Sequence, residues 1–183
     1  MAKVSIIGTG TWGIALGMVL AQNGHEVTAW SALPKEIEAL RESYTCKNLP
    51  GVEIPRSIVF TADLQEACTD KEMLVLSVPS VFTRGVAKQM NPFVKEGQLI
   101  VSVAKGIEEK TLMTMSQQIE EELPMANVAV LSGPSHAEEV SRGIPTTVVA
   151  GAKDRQTAEH IQNLFMSSVF RVYTSPDILG IEL

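Results

Sequence analysis

The sequence has 183 residues, 45% hydrophobic and 20% charged, which describes a globular chain long enough to bury a real core. Fifteen basic against twenty-one acidic residues leave a net charge of −6 and argue against general affinity for nucleic acid, so an anionic ligand must be held by local amides and a few placed cations. Cys46 and Cys68 are too few for a metal set or a disulfide framework and read as reduced thiols of a cytoplasmic protein. A strand starting by residue 3 leaves no room for a signal peptide. The longest apolar run, residues 12–21, is about half a membrane span, so membrane insertion is not expected.

In chain order, Lys3-Val4-Ser5-Ile6-Ile7 reads as a buried strand, and the apolar run after Gly13 as a core helix stopped by Asn23-Gly24. Residues 26–31 form a second strand, and Pro34 opens a helix over 34–40. Two prolines and a glycine make residues 44–56 irregular. A short strand over 57–60 leads to Thr61, a candidate cap for the helix carrying Leu64 and Ala67. Residues 73–78 are almost wholly apolar, the mark of a parallel strand buried on both faces. A helix over 80–90, a strand over 99–104 and a helix over about 109–123 follow. The remaining elements are a strand over 128–131, a helix over 135–142, a strand over 146–150, a helix over 156–165 and a strand over 169–174. This alternation predicts an α/β domain with a Rossmann-like, doubly wound, mostly parallel sheet and flanking helices.

Between the first strand and helix stands Gly8-Thr9-Gly10-Thr11-Trp12-Gly13, a G-x-G-x-x-G in the strand-to-helix context that gives it meaning. Gly8 suits a tight turn, Gly10 the approach of a pyrophosphate to the backbone, and Gly13 close helix–sheet packing. The bland alternative is a glycine-rich turn that binds nothing. Ligands of such sheets lie beyond the carboxyl ends of the strands. That edge gathers residues 8–13, 31–33, 79–82, 105–106 and 133–135. The second strand ends in Ser31-Ala32-Leu33 without the carboxylate that favours an unphosphorylated ribose, so NADPH is expected to bind at least as well as NADH. Ser31 suits either cofactor. Lys35 is either within reach of a 2′-phosphate or simply a solvated helix residue. Lys105 is either an exposed loop lysine or a cation for a substrate phosphate. Ser135-His136-Ala137-Glu138 reads as a capping box, whose helix start doubles as an anion site. His25 and His160 read as surface residues.

Taken together, the chain resembles the bacterial NAD(P)-dependent glycerol-3-phosphate dehydrogenases. The resemblance rests on the glycine turn, Val78-Pro79-Ser80, Ser102-Val103-Ala104-Lys105-Gly106-Ile107-Glu108, Leu131-Ser132-Gly133-Pro134-Ser135-His136-Ala137-Glu138-Glu139 and Phe170-Arg171-Val172-Tyr173-Thr174-Ser175-Pro176-Asp177. These segments fall in the family's order along the whole chain. The resemblance implies reduction of dihydroxyacetone phosphate to sn-glycerol 3-phosphate, a phospholipid precursor, with NADP or NAD as cofactor and a homo-oligomeric parent enzyme. To the cofactor contacts read above at Gly8, Gly10, Gly13 and Ser31 it adds Thr11, Trp12 and Ala137, with Pro79 and Phe82 lining the cofactor cleft and Lys105 near the nicotinamide. Lys105, Gly133 and Ser135 would hold the substrate. Ala32 stands where the family often has a basic residue. The family's catalytic lysine and helical substrate domain follow the position of Leu183, so residues 1–183 are expected to form the N-terminal dinucleotide-binding domain without a catalytic residue of their own. Two rivals are the cofactor domain of a ketopantoate or hydroxyacid reductase, and a non-catalytic dinucleotide-binding module.

Overall fold

The computed structural model describes residues 1–183. Eight strands form one sheet in the order β3-β2-β1-β4-β5-β6-β7-β8. They are β1 (Lys3–Ile7), β2 (Glu26–Trp30), β3 (Val59–Thr61), β4 (Met73–Leu76), β5 (Leu99–Ser102), β6 (Asn127–Ser132), β7 (Thr146–Gly151) and β8 (Phe170–Ser175). The first six are parallel; β7 pairs antiparallel with β6, and β8 runs parallel to β7. The chain winds outward from β1 to β3, returns to the centre at β4, and winds the other way to β6. Between β1 and β4 the loops diverge, which opens a crevice at the carboxyl edge.

Helices α1 (Thr11–Gln22), α2 (Pro34–Ser43), α6 (Ala137–Ser141) and α7 (Arg155–Phe165) cover one face, where Val4 and Ile6 pack with Ile14, Leu16, Leu20, Ile37, Val140 and Ile161. Helices α3 (Leu64–Cys68), α4 (Thr83–Met90) and α5 (Met115–Glu122) cover the other, where Ile7 joins Leu74, Leu76, Cys68, Met90 and Ile119. Each large aliphatic buried this way contributes about 1.5–3 kcal/mol. Burial on both faces explains why β1 and β4 read as nearly continuous apolar runs.

Local chemistry moves several boundaries. Thr61 is the last residue of β3, and its hydroxyl donates to the Glu66 carboxylate. Asp63 is the true cap of α3, accepting from the Gln65 and Glu66 amides. The helix expected from 109 begins only at Met115, because Thr114 and Gln117 form a reciprocal capping box there. Leu112 upstream has a left-handed backbone, φ 60°, and Glu108 and Met113 close a turn instead of a helix. Nor do Ser135 and Glu138 cap α6. The helix is one turn shorter, His136 occupies the cap position without a side-chain bond, and the Ser135 hydroxyl points back toward the Gly133 carbonyl at 3.5 Å. Residues 80–82 form a 3-10 turn ahead of α4, and a final short helix, α8 (Ile178–Glu182), follows β8. Residues 44–56 are irregular as expected, and bury Leu49, Val52 and Ile54.

His25 is more than a surface residue. Its Nδ1 accepts from the Ala2 amide at 3.2 Å, so Nε2 carries the proton and donates to the Leu164 carbonyl at 3.0 Å, tying the start of β1 to the end of α7. His160 sits 2.9 Å from the Glu72 carboxylate. Cys46 and Cys68 are unpaired, and burial pushes the Cys68 thiol up to about 12. No helix is long and apolar enough to cross a membrane.

Candidate dinucleotide and substrate site

The glycine turn is built by three different constraints. Gly8 has φ +120°, and a Cβ there would lie 2.7 Å from the Ser77 carbonyl oxygen, so only glycine fits between β1 and β4. Gly13 lies so close under the turn that a Cβ would meet the Gly8 carbonyl oxygen at 2.2 Å. Gly10 differs from both. A Cβ on it would have no neighbour within 4 Å, so this backbone faces open space.

Gly10 is the cap residue of α1, with no side chain to accept from the first helical amides, and no acid sits in the first turn. The first intrahelical bond runs from the Ile14 amide to the Gly10 carbonyl, leaving the Thr11, Trp12 and Gly13 amides uncommitted. By contrast α3, α5 and α7 carry oxygen caps from Asp63, Thr114 and Asp154. An open cradle over uncapped amides at the positive end of a twelve-residue helix fits a pyrophosphate.

A cleft of about 390 Å³ opens in front of these amides at the crevice between β1 and β4. Gly10, Thr11 and Trp12 line it after β1, and Ser77 to Ser80, including Pro79, after β4. Lys105 enters after β5, and Gly133 and Ser135 after β6. Four of the five loops assigned to this edge therefore converge. Gly8 and Gly13 lie behind the lining as its scaffold. Phe82 is exposed at the end of the 3-10 turn, and Ala137 is buried at the start of α6; neither lines the cleft. Two buried hydroxyls at this end of the sheet, Thr9 and Ser102, have no hydrogen-bond partner.

Lys105 is exposed, yet it is not loose: its Nζ donates to the Gly133 carbonyl at 2.8 Å. That bond uses one of the three ammonium donors and leaves two for a ligand. Lys105 and Gly133 also line a second cleft of about 460 Å³, shared with Pro134, Val149 and residues 180–183 around α8. The ammonium thus stands between two cavities. Glu182 fixes α8 beside it, accepting from the Ser116 amide and hydroxyl at 2.8 and 2.6 Å.

The loop that carries Lys105 is held from beneath by a clasp absent from the sequence reading. Arg84 on α4 grips Glu108 with two bonds, Nε at 2.9 Å and Nη2 at 2.8 Å, and also pairs with Glu121 and Glu122. The Arg84 guanidinium holds the Glu108 carboxyl down at about 2, with Thr111 adding a second donor. The signal was an arginine and three glutamates on elements now seen to be adjacent, which only the α4–α5 packing reveals.

Ser31, at the end of β2, is outside the cleft lining. It is buried, and its hydroxyl is already committed, donating to Glu36 Oε2 at 2.6 Å while accepting from the Leu33 amide. The strand end without an acid therefore receives one from the first turn of α2. Residues 31–33 carry no acid, and the signal in the sequence was an acid five positions after Ser31, in the first turn of α2.

The strand order, the uncapped glycine turn and the cleft at the switch point define a dinucleotide-binding domain of the dehydrogenase type. Residues 3–158 match the family described as NAD-dependent glycerol-3-phosphate dehydrogenase N-terminus, and the chain belongs to that family. The glycerol-3-phosphate dehydrogenase (NAD(P)+) of Agathobacter rectalis is 61% identical over 184 residues, covering 100% of this chain and 55% of that protein. The crystal structure of glycerol-3-phosphate dehydrogenase from Coxiella burnetii superposes with a TM-score of 0.93 at 27% identity, over 99% of this chain and 56% of that one. A ketopantoate reductase from Ralstonia eutropha shares the fold alone, with a TM-score of 0.73 at 20% identity over 98% of this chain and 58% of that one. The chain spans about half the length of the curated relatives it matches. Family membership sets nicotinamide dinucleotide, NAD or NADP, as the cofactor class.

Proposed function

We propose that residues 1–183 are the cofactor-binding half of an enzyme that reduces dihydroxyacetone phosphate to sn-glycerol 3-phosphate. The observation that carries this reading is 61% identity, across the whole chain, to a protein of that activity's name. When bound, the dihydronicotinamide supplies the hydride that converts the ketone to an alcohol. The α1 amides hold the pyrophosphate over Gly10, with Thr11 and Trp12 at the helix start beside it. Pro79 bounds the cofactor cleft, while Phe82 at the end of the 3-10 turn and Ala137 at the start of α6 lie outside its lining and would meet the cofactor only at its margins. Lys105, held by the Gly133 carbonyl and standing between two cavities, attracts the substrate phosphate with its two spare donors, and Ser135 adds a hydroxyl. The carbonyl oxygen needs a proton as the hydride arrives. This domain offers no buried acid aimed into the cleft, and the family's lysine in a helical domain beyond residue 183 fills that role.

A positioned acid contributes about 10²–10⁴-fold, and alignment of the reactants adds several orders of magnitude more. Residues 1–183 alone should therefore bind cofactor and show only background oxidation of the dihydronicotinamide with dihydroxyacetone phosphate. A chain extended through the relatives' second half should turn over, and Lys105→Ala in it should raise KM for the phosphate substrate at least about tenfold. Substantial turnover by residues 1–183 would refute the division of labour. An unchanged KM in the variant would remove Lys105 from substrate binding.

A further inference from the structure

The NAD(P)+ in the relatives' name leaves the choice between the two cofactors open, and the Ser31–Glu36 contact bears on it. Resting on the dinucleotide reading above, we propose that Glu36 selects NADH over NADPH by presenting a carboxylate at the ribose end of the site.

Four observations carry this. First, the end of the strand after the glycine turn is where such domains meet the adenosine ribose, and an acid there accepts from the 2′-hydroxyl. Second, Glu36 reaches that strand end: its Oε2 takes the Ser31 proton at 2.6 Å, and Ser31 is the first residue after β2. Third, the contact fixes the acid. Ser31 is buried and bonded on both sides, donating to Glu36 and accepting from the Leu33 amide at 3.2 Å, so its hydroxyl has no proton left for a phosphate. Fourth, no cation is bonded to Glu36, and the arginines on and near α2 are held by other groups. Arg41, on the same helix, spends its guanidinium on the Phe60 carbonyl at 2.6 and 2.9 Å. Arg56 stacks on the Tyr44 ring, 5.0 Å from its centroid. Lys35 is exposed on a long side chain that must be ordered before it can hold anything.

The chemistry then separates the two cofactors. A ribose 2′-hydroxyl has a proton to give, and a carboxylate whose second oxygen remains free can take it. A 2′-phosphate at neutral pH brings two negative charges and no proton, so it meets Glu36 as a like charge. Selectivity of this kind comes from a repulsive element built against the wrong ligand. Ser31, in this reading, is a positioning residue that aims Glu36. The sequence alone pointed the other way, because residues 31–33 contain no acid.

The test is calorimetric titration of the 183-residue chain with NADH and NADPH at low and moderate salt. The wild-type chain should bind NADH at least about tenfold more tightly, and the ratio should shrink as salt screens the repulsion. Glu36→Gln, which keeps the side-chain length and can still bond Ser31, should bring the two affinities to within about threefold, chiefly by tightening NADPH. Competition between 5′-AMP and adenosine 2′,5′-bisphosphate reads the same corner without the nicotinamide, and should give the same order. Wild-type affinity for NADPH equal to or above that for NADH would overturn the proposal without any variant. So would a ratio that survives in folded Glu36→Gln. If neither dinucleotide bound the wild-type chain, the dinucleotide reading itself would fall, an outcome distinct from both.

Discussion

Gly10→Val separates binding from folding, because Gly10 is the member of the glycine turn that nothing in the protein crowds. Its backbone, φ −62° and ψ 167°, is extended and open to any residue, and a Cβ there meets no atom within 4 Å. Valine costs only the difference between a tolerated and a poor cap residue, about 1 kcal/mol, or about 2–4 °C in Tm for a chain of this size. The effect on ligand is much larger. The added methyl groups occupy the space above the Thr11, Trp12 and Gly13 amides, and each hydrogen bond to a charged phosphate is worth about 1.5–3 kcal/mol. Losing two costs about 3–6 kcal/mol, a rise in Kd of about a hundredfold or more. Calorimetry for the dinucleotide and thermal unfolding without it measure the two quantities on the same samples. Wild-type affinity in a folded Gly10→Val would refute the placement of the pyrophosphate.

Gly13→Ala should do the reverse of Gly10→Val. Its Cβ would sit 2.2 Å from the Gly8 carbonyl oxygen and 3.0 Å from the Ile6 side chain, so ligand-free Tm should fall by an amount equivalent to about 1–3 kcal/mol or more. Arg84→Gln should destabilise the chain in a pH-dependent way. Glu108 is held at about 2 against its ordinary 4.5, so the pairing contributes stability that is complete above about 4.5 and is lost as pH falls toward 2. Urea unfolding at pH 6 should separate wild type from variant, and the gap should close by about pH 2.5. A gap that stayed constant with pH would detach Glu108 from the clasp.

The sequence revealed the sheet because burial on both faces is written into it. β1, β4, β5 and β6 are short apolar runs with no other use, and the helices between them set their direction. The glycine turn was legible because Gly8 and Gly13 answer close backbone approaches around the turn itself and β4, while Gly10 leaves the helix start open. What failed were features decided by side chains meeting across elements. Ser135 and Glu138 have the spacing of a capping box, yet Gly133 and Pro134 hold the chain so that α6 starts two residues later. Thr114 and Gln117 have the same spacing and do form one, because Arg84 and Thr111 keep Glu108 in a turn that delivers Thr114 to the helix start. Identical spacing gave opposite outcomes. The antiparallel direction of β7 escaped notice because strand direction leaves no mark on a six-residue segment such as Thr146–Gly151. Glu36 is not legible at the strand end because it sits on the following helix and reaches Ser31 only once α2 has packed.

An acidic chain that binds an anionic cofactor must arrange its charges locally, since ionic screening over about 8 Å makes the total of −6 a poor guide to the field at one helix start. The first turns of α2, α3 and α6 contain Glu36, Glu66, and Glu138 with Glu139, whereas that of α1 contains no acid at all. The start of α1 therefore presents bare amides to the cleft. Lys105 is the cation of the cleft, and the acid nearest to it in sequence is Glu108, three positions on. A free carboxylate there would compete with a substrate phosphate for the ammonium. Arg84 prevents this by taking both Glu108 oxygens, and Lys105 is drawn the other way, onto the Gly133 carbonyl. The clasp beneath the loop thus braces the backbone that carries Lys105 and keeps both Glu108 oxygens on Arg84.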